Sequence, residues 1–172
     1  LFPQMTVAQN IAIGFHIYEK TNLIDSIFHT KRYWADEEMI RTESAKLLDQ
    51  LELGEYRDFV AGNLPYGIQR KVEIARALAT RPKLLLLDEP AAGMNPNETQ
   101  ALSNFIKKLR DSGYTIMVIE HDMKFIMNLC DRMIVLDHGI KICEGTPEIV
   151  MNNQQVIEAY FGKGFMREEA AV

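Results

Sequence analysis

A chain of 172 residues, 47% of them hydrophobic and 25% charged, is long enough for one domain with its own core and too apolar to be disordered. Its 24 Asp and Glu exceed its 19 Lys and Arg, the net charge is −5, and no basic stripe offsets it, which argues against a general nucleic-acid binder. Two cysteines, Cys130 and Cys143, lack metal-ligand spacing and are too few for a secreted disulfide framework, so a reducing cytoplasm is expected. No apolar run reaches the ~18 residues that span a bilayer, so any membrane link is expected to pass through a partner.

The opening Leu1 to Val7 reads as the exit of a loop, and the chain is expected to be a fragment of a longer protein. Thr6 and Gln9 form a capping box, and Val7, Ala8, Ile11, Ala12 and Phe15 repeat on one face of a helix from about 6 to 18. From Glu19 to Trp34 the period is lost, while Leu23, Ile24, Ile27, Phe28, Tyr33 and Trp34 sit among His29, Lys31 and Arg32. Two readings stand here, a packed loop or a docking patch for a partner. A second helix is predicted from about Asp36 to Leu53, with acids in its first turn and Gly54 after its end, as the helix dipole favours. Residues 1–62 thus read as a helical subdomain.

The stretch from Asn63 to Asn97 organises the rest. Pro65 suits a first helical turn, which would leave the N–H groups of Tyr66, Gly67 and Ile68 unpaired at an anion-binding helix end. After that helix, Leu84 to Leu87 form an apolar run fit for a strand buried on both faces, ending in Asp88-Glu89-Pro90. Carboxylates at the C-terminal edge of a strand suit a metal and a water. The loop from Ala91 to Pro96 re-enters a helix near Asn97 or Glu98 that runs to Asp111, and the Asn97-Glu98-Thr99 sequon reads as helix capping. A strand from Tyr114 to Glu120, a helix from Asp122 to Cys130 and a strand from Met133 to Leu136 follow. Asp137-His138-Gly139 then turns the chain into Ile140 to Glu144, making a hairpin. Alternating strands and helices predict an α/β fold with a parallel sheet. Residues 63–146 form its core part, and 147–172 a C-terminal helix and tail, mobile from Gly162.

The motif order resembles the ATP-binding-cassette (ABC) ATPases, P-loop NTPases in which a signature helix leads to a Walker B strand, a D-loop and a switch histidine. The corresponding residues are Leu64-Pro65-Tyr66-Gly67-Ile68-Gln69, Leu84 to Glu89, Ala92-Gly93-Met94-Asn95, and Ile119-Glu120-His121-Asp122. Asp88 to Pro96 and Glu120 to Lys124 look most like the ATPase subunits of branched-chain amino-acid importers. The resemblance implies ATP and Mg²⁺ as cofactors. It makes Glu89 the general base, His121 the γ-phosphate contact and Asp88 a Mg²⁺ ligand acting mainly through water. Leu64, Pro65, Tyr66, Gly67, Gln69 and Asn95 become nucleotide-facing positions across a head-to-tail dimer. It further implies a second ATPase subunit, permease subunits, no nucleic acid, and a cytoplasmic place on the inner face of the plasma membrane.

Each site has a plainer alternative: solvated loop carboxylates at Asp88 and Glu89, a structural loop histidine at His121, and an ordinary Pro-started helix at Pro65. A metal site from His121, Asp122 and Asp88 is a rival. The sequence departs from the family pattern where Pro65 replaces the signature serine and Tyr66 its first glycine. No G-x-x-x-x-G-K-[ST] occurs; in Phe161-Gly162-Lys163-Gly164 Ile157 stands at the first glycine and Gly164 at the Ser/Thr. The resemblance therefore covers the later part of a cassette, without its Walker A and Q-loop half. In that fold the missing Walker A strand would leave a gap in the sheet, so the isolated fragment is expected to self-associate and to be inactive alone. Three functions remain open: the ATPase subunit of a branched-chain amino-acid importer, a cassette ATPase for lipid export or DNA repair, and a non-catalytic interaction module.

Overall fold

The computed structural model describes residues 1–161, so the Gly-Lys stretch at 162–164 and the tail expected from Gly162 lie outside the described residues. The chain divides into two compact units, Leu1–Glu120 and His121–Val172.

The first unit opens with α1 (Val7–Phe15). Its capping box is the one the sequence predicts: the Gln9 amide donates to Thr6 Oγ1 at 3.2 Å, and the Thr6 amide to Gln9 Oε1 at 2.9 Å. Val7, Ile11 and Phe15 are buried, and a short 3₁₀ turn, His16–Tyr18, ends the segment. Gly14 lets α1 lie against α4 (Tyr66–Ala79), because a Cβ there would stand 2.4 Å from the carbonyl oxygen of Arg76. Buried Asn10 ties down the opening loop, accepting from the Phe2 amide at 2.8 Å and donating to the carbonyl oxygens of Phe2 and Thr6.

Residues 19–34 are more regular than expected. They contain α2 (Leu23–Phe28), opened by an Asn22/Asp25 capping box, and the start of α3 (Lys31–Gln50). The apolar period was illegible because α2 has six residues and buries none of them. Nor does α3 begin at Asp36 with acids in its first turn. The Asp36 carboxylate instead accepts from the amides of Lys20 and Thr21, both at 2.8 Å, and so fastens the preceding loop. The helix buries Ile40, Leu47 and Leu48, and Leu51 just past its end is buried as well.

Strand β1 (Leu85–Asp88) pairs in parallel with β2 (Ile116–Ile119), Leu85 opposite Ile116 and Asp88 opposite Ile119. The helix between them, α5 (Pro96–Asp111), buries Leu102, Phe105, Ile106 and Leu109. Burial of β1 on both faces is not observed. Leu85 and Leu87 are buried, but Leu86 is 64% exposed on the face that carries Met117 and Ile119, also exposed. Strand geometry sends alternate side chains to opposite faces, and here one of those faces is open.

In the second unit, α6 (Met123–Met127) is shorter than predicted and is followed by β3 (Met133–Asp137) and β4 (Ile140–Gly145), an antiparallel hairpin. Its turn residues His138 and Gly139 both have positive φ, 47° and 79°, the backbone that a two-residue hairpin turn of matching twist requires. The C-terminal helix is two, α7 (Pro147–Met151) and α8 (Gln154–Phe161). Asn153 interrupts the run by capping α8, its Oδ1 accepting from the Gln155 amide at 2.9 Å. Val150 and Val156 bury these helices' inner faces.

Candidate functional site

The signature segment places Pro65 at the N-cap of α4 rather than inside its first turn. Its carbonyl oxygen accepts from the amides of Ile68 at 2.9 Å and Gln69 at 3.0 Å, so Ile68 is not an open donor as expected. Among the described residues, the amides of Tyr66 and Gly67 have no hydrogen-bond acceptor, which leaves two donors at the positive end of the helix. Tyr66 is half exposed, whereas the Leu64 side chain is buried. Gln69 turns back on its own helix start, donating from Nε2 to the carbonyl oxygen of Leu64 at 2.8 Å. Gly67 faces α5: a Cβ built on it would stand 3.5 Å from Cγ of Glu98.

At the end of β1, Asp88 and Glu89 are both exposed and the next residue, Pro90, is buried. Glu89 takes a left-handed backbone with φ 41°, a conformation that costs a non-glycine residue on the order of 1–3 kcal/mol. Several contacts hold it there. The Glu89 amide donates to the carbonyl oxygen of Ile119 at 2.9 Å, extending the strand ladder by one residue. The Arg70 guanidinium donates from Nη2 to the carbonyl oxygen of Glu89 and from Nε to that of Pro90, both at 3.0 Å. The Ala91 amide donates to Glu120 Oε1 at 2.9 Å. Charge-assisted bonds of this kind contribute roughly 1.5–3 kcal/mol each, enough together to offset the strain.

The loop beyond turns at Gly93, with φ 77°, and enters α5 earlier than expected, at Pro96. Asn95 is the N-cap: its Oδ1 accepts from the amides of Asn97 at 3.0 Å and Glu98 at 3.1 Å, while Glu98 closes the box onto the Asn95 amide. The Asn95 side chain is thus committed to the helix start.

His121 is exposed and is the first residue of the second unit, next in the chain to Glu120. Asp122 caps α6, accepting from the amides of Lys124 at 2.9 Å and Phe125 at 3.2 Å. Among the described residues no group of three or more His, Cys, Asp or Glu could hold a metal ion.

Sequence reading gave no role to Arg70 or Glu120. A signal existed for Arg70, which lies three residues after Gly67 and so on the same helical face. Nothing local marks its acceptors, because they are backbone carbonyls about twenty residues away in the chain.

A helix end with open amides, aimed from the same unit as a parallel strand that ends in two exposed carboxylates, belongs to the α/β nucleotide-binding cassettes. The chain belongs to the ABC transporter family, whose model matches residues 1–92. A second model, the branched-chain amino acid ATP-binding cassette transporter, matches residues 141–166. The chain is similar to the high-affinity branched-chain amino acid transport ATP-binding protein BraF of Pseudomonas aeruginosa, with 41% identity over 95% of this chain and 64% of the relative. It is likewise similar to LivG of Escherichia coli, a protein of the same description, with 42% identity over 95% of this chain and 64% of LivG. Among solved structures it superposes on the ADP conformation of MJ1267, an ATP-binding cassette of an ABC transporter, with a TM-score of 0.76 and 34% identity. That match covers 94% of this chain and 65% of MJ1267. The chain therefore spans a little under two thirds of the length of these relatives.

Proposed function

We propose that the gene product carrying this chain is the ATP-hydrolysing subunit of an importer for branched-chain amino acids. Hydrolysis is supported by the pair Asp88 and Glu89, adjacent and exposed at the end of β1, and the substrate class by the likeness to BraF and LivG. Adjacent residues at a strand end point in different directions, which suits two roles better than a shared proton. Glu89 is the general base that polarises the attacking water, and Asp88 is the residue that would hold Mg²⁺, whose charge would stabilise the phosphate oxygens. Mg²⁺ typically keeps several waters and uses one or two carboxylates together with substrate phosphates, so the exposed Asp88 carboxylate fits it.

The amides of Tyr66 and Gly67 receive the γ-phosphate held by a second ATPase subunit in a head-to-tail dimer, while His121 contacts the phosphate of its own site. Pro65 offers neither hydroxyl nor N–H, so at this position the backbone and the helix dipole, about half a positive charge, take over from the signature serine. Leu64 and Gln69 shape that helix end and Asn95 fixes the loop beside it. Residues 1–62 form the helical subdomain, 63–146 the catalytic-edge part of the core and 147–172 the C-terminal segment. Among the described residues no helix is long and apolar enough to cross a membrane. The subunit sits on the inner face of the plasma membrane through its permease.

The test is reconstitution of the gene product in vesicles with a branched-chain amino-acid permease, measuring ATP hydrolysis and uptake of radiolabelled leucine. Leucine uptake that depends on hydrolysis is the expected result. Hydrolysis coupled to lipid release would replace the substrate assignment, and absence of hydrolysis would favour an interaction module.

A further inference from the structure

We propose that Arg70 is a positioning residue for hydrolysis, coupling the N-terminal end of α4 to the Glu89 carboxylate. The inference rests on the reading of Glu89 as general base. Arg70 lies one turn into α4 from Gly67, on a helix whose remaining length is packed through Val72, Ala75 and Leu78, so it moves only as that helix moves. Its guanidinium is itself oriented: Nη1 donates to Glu73 Oε2 at 2.7 Å, leaving Nε and Nη2 to face the turn. These two donors form a planar fork, and the fork meets two successive carbonyl oxygens, Pro90 and Glu89, at 3.0 Å each.

Both acceptors belong to the one residue pair whose backbone sets the direction of the Glu89 side chain. Pro90 is buried and its φ is fixed by its ring, and Glu89 is held at φ 41°, so the remaining freedom lies in the peptide that Arg70 grips. The carbonyl oxygen of Glu89 also accepts from the Ala92 amide at 3.2 Å, and the Ala91 amide donates to Glu120. The turn is thus pinned from the strand side by Ile119 and Glu120 and from the signature side by Arg70. Arg70 thereby ties the backbone of the Glu89 turn to the first turn of α4, the end that offers the Tyr66 and Gly67 amides to an anion.

The experiment uses the gene product assembled with its permease, with Arg70→Ala, Arg70→Lys, Glu89→Gln and the double variant Arg70→Ala/Glu89→Gln. Arg70→Ala is expected to lower kcat by on the order of 10²-fold, the scale of a misplaced catalytic group, with KM for ATP changed less than about threefold. Arg70→Lys, which can reach one carbonyl but not both, should fall between it and the parent. In the Glu89→Gln background the Arg70→Ala change should have almost no further effect, because a residue that acts through Glu89 has nothing left to position. Multiplicative losses in the double variant, or losses in KM alone, would overturn the proposal. Circular dichroism of each variant separates these results from unfolding, and if Arg70→Ala does not fold, the same cycle run with Arg70→Lys decides. Normal hydrolysis by Glu89→Gln would remove the general base itself and the proposal with it, whereas an impaired Glu89→Gln with additive Arg70 effects would remove the proposal alone.

Discussion

The amide of Glu89 donates to the carbonyl oxygen of Ile119 across 2.9 Å, one residue beyond the paired ends of β1 and β2. This bond carries the strand ladder into a left-handed residue, so the carboxylate that follows leaves the sheet in a set direction. Replacing Glu89 by Gln keeps the backbone bond and the volume while removing the base. Hydrolysis by the assembled gene product should fall by roughly 10²–10⁴-fold with ATP binding retained. Near-normal turnover in a phosphate-release assay would take Glu89 out of the base role.

The surface of α2 and the start of α3 supports a second expectation. Phe28 is 75% exposed and Trp34 62%, and Tyr33 stacks edge-on against both Trp34 and His29. We predict that this patch meets the permease. Cysteines introduced at 28, 33 and 34 should form cross-links to the permease in membranes, visible as a shifted band on non-reducing gels. Cross-links arising solely from the 137–144 hairpin would move the contact there.

Leu86, Met117 and Ile119 present an apolar face on a two-stranded sheet, and sheets left open on an apolar face tend to associate. The 172-residue polypeptide by itself should therefore sediment as oligomers. Since its sequence holds no phosphate cradle and no cradle lysine, calorimetric titration with Mg-ATP should give no measurable heat of binding. Micromolar binding by a monodisperse monomer would contradict both statements.

Asp36 carries a pH dependence whose sign follows from its contacts. The Thr21 hydroxyl, with the amides of Lys20 and Thr21, holds its carboxyl below the usual carboxylate range despite partial burial. A folded-state pKa below the unfolded one means that the stabilisation is complete above the unfolded value, ~3.9, and is lost as pH falls through the lowered one. Hydrogen exchange at Lys20 and Thr21 should accelerate in the parent protein as pH drops through that window, once corrected for intrinsic rates. Asp36→Asn should exchange faster at neutral pH and lose the acid-side dependence. An unchanged exchange profile in Asp36→Asn would show that the loop is held by other means.

Much of this architecture is written locally. The Thr6/Gln9 capping box and the Asp137-His138-Gly139 hairpin turn depend on contacts within a few residues, so spacing and residue type determine them. The order of signature, strand-end carboxylates, loop and histidine is likewise a property of the chain. What spacing could not decide was which side chains hold their neighbours. Asp36 and Asn153 were legible as polar residues, but whether each fastens a loop or caps a helix depends on what folds beside it.

Tertiary structure alone decided the rest. Four consecutive leucines cannot say whether a strand is covered on one face or two, because the period of two is hidden when every position is apolar; only packing exposes Leu86 and buries Leu87. The grip of Arg70 on the carbonyls of Glu89 and Pro90 is equally silent in sequence, since a backbone oxygen has no residue identity. Residue type thus specified the two carboxylates at the end of β1, whereas the bonds that hold the Glu89 backbone, from its amide to Ile119 and to its carbonyl from Arg70 about twenty residues upstream, exist only once those elements come together.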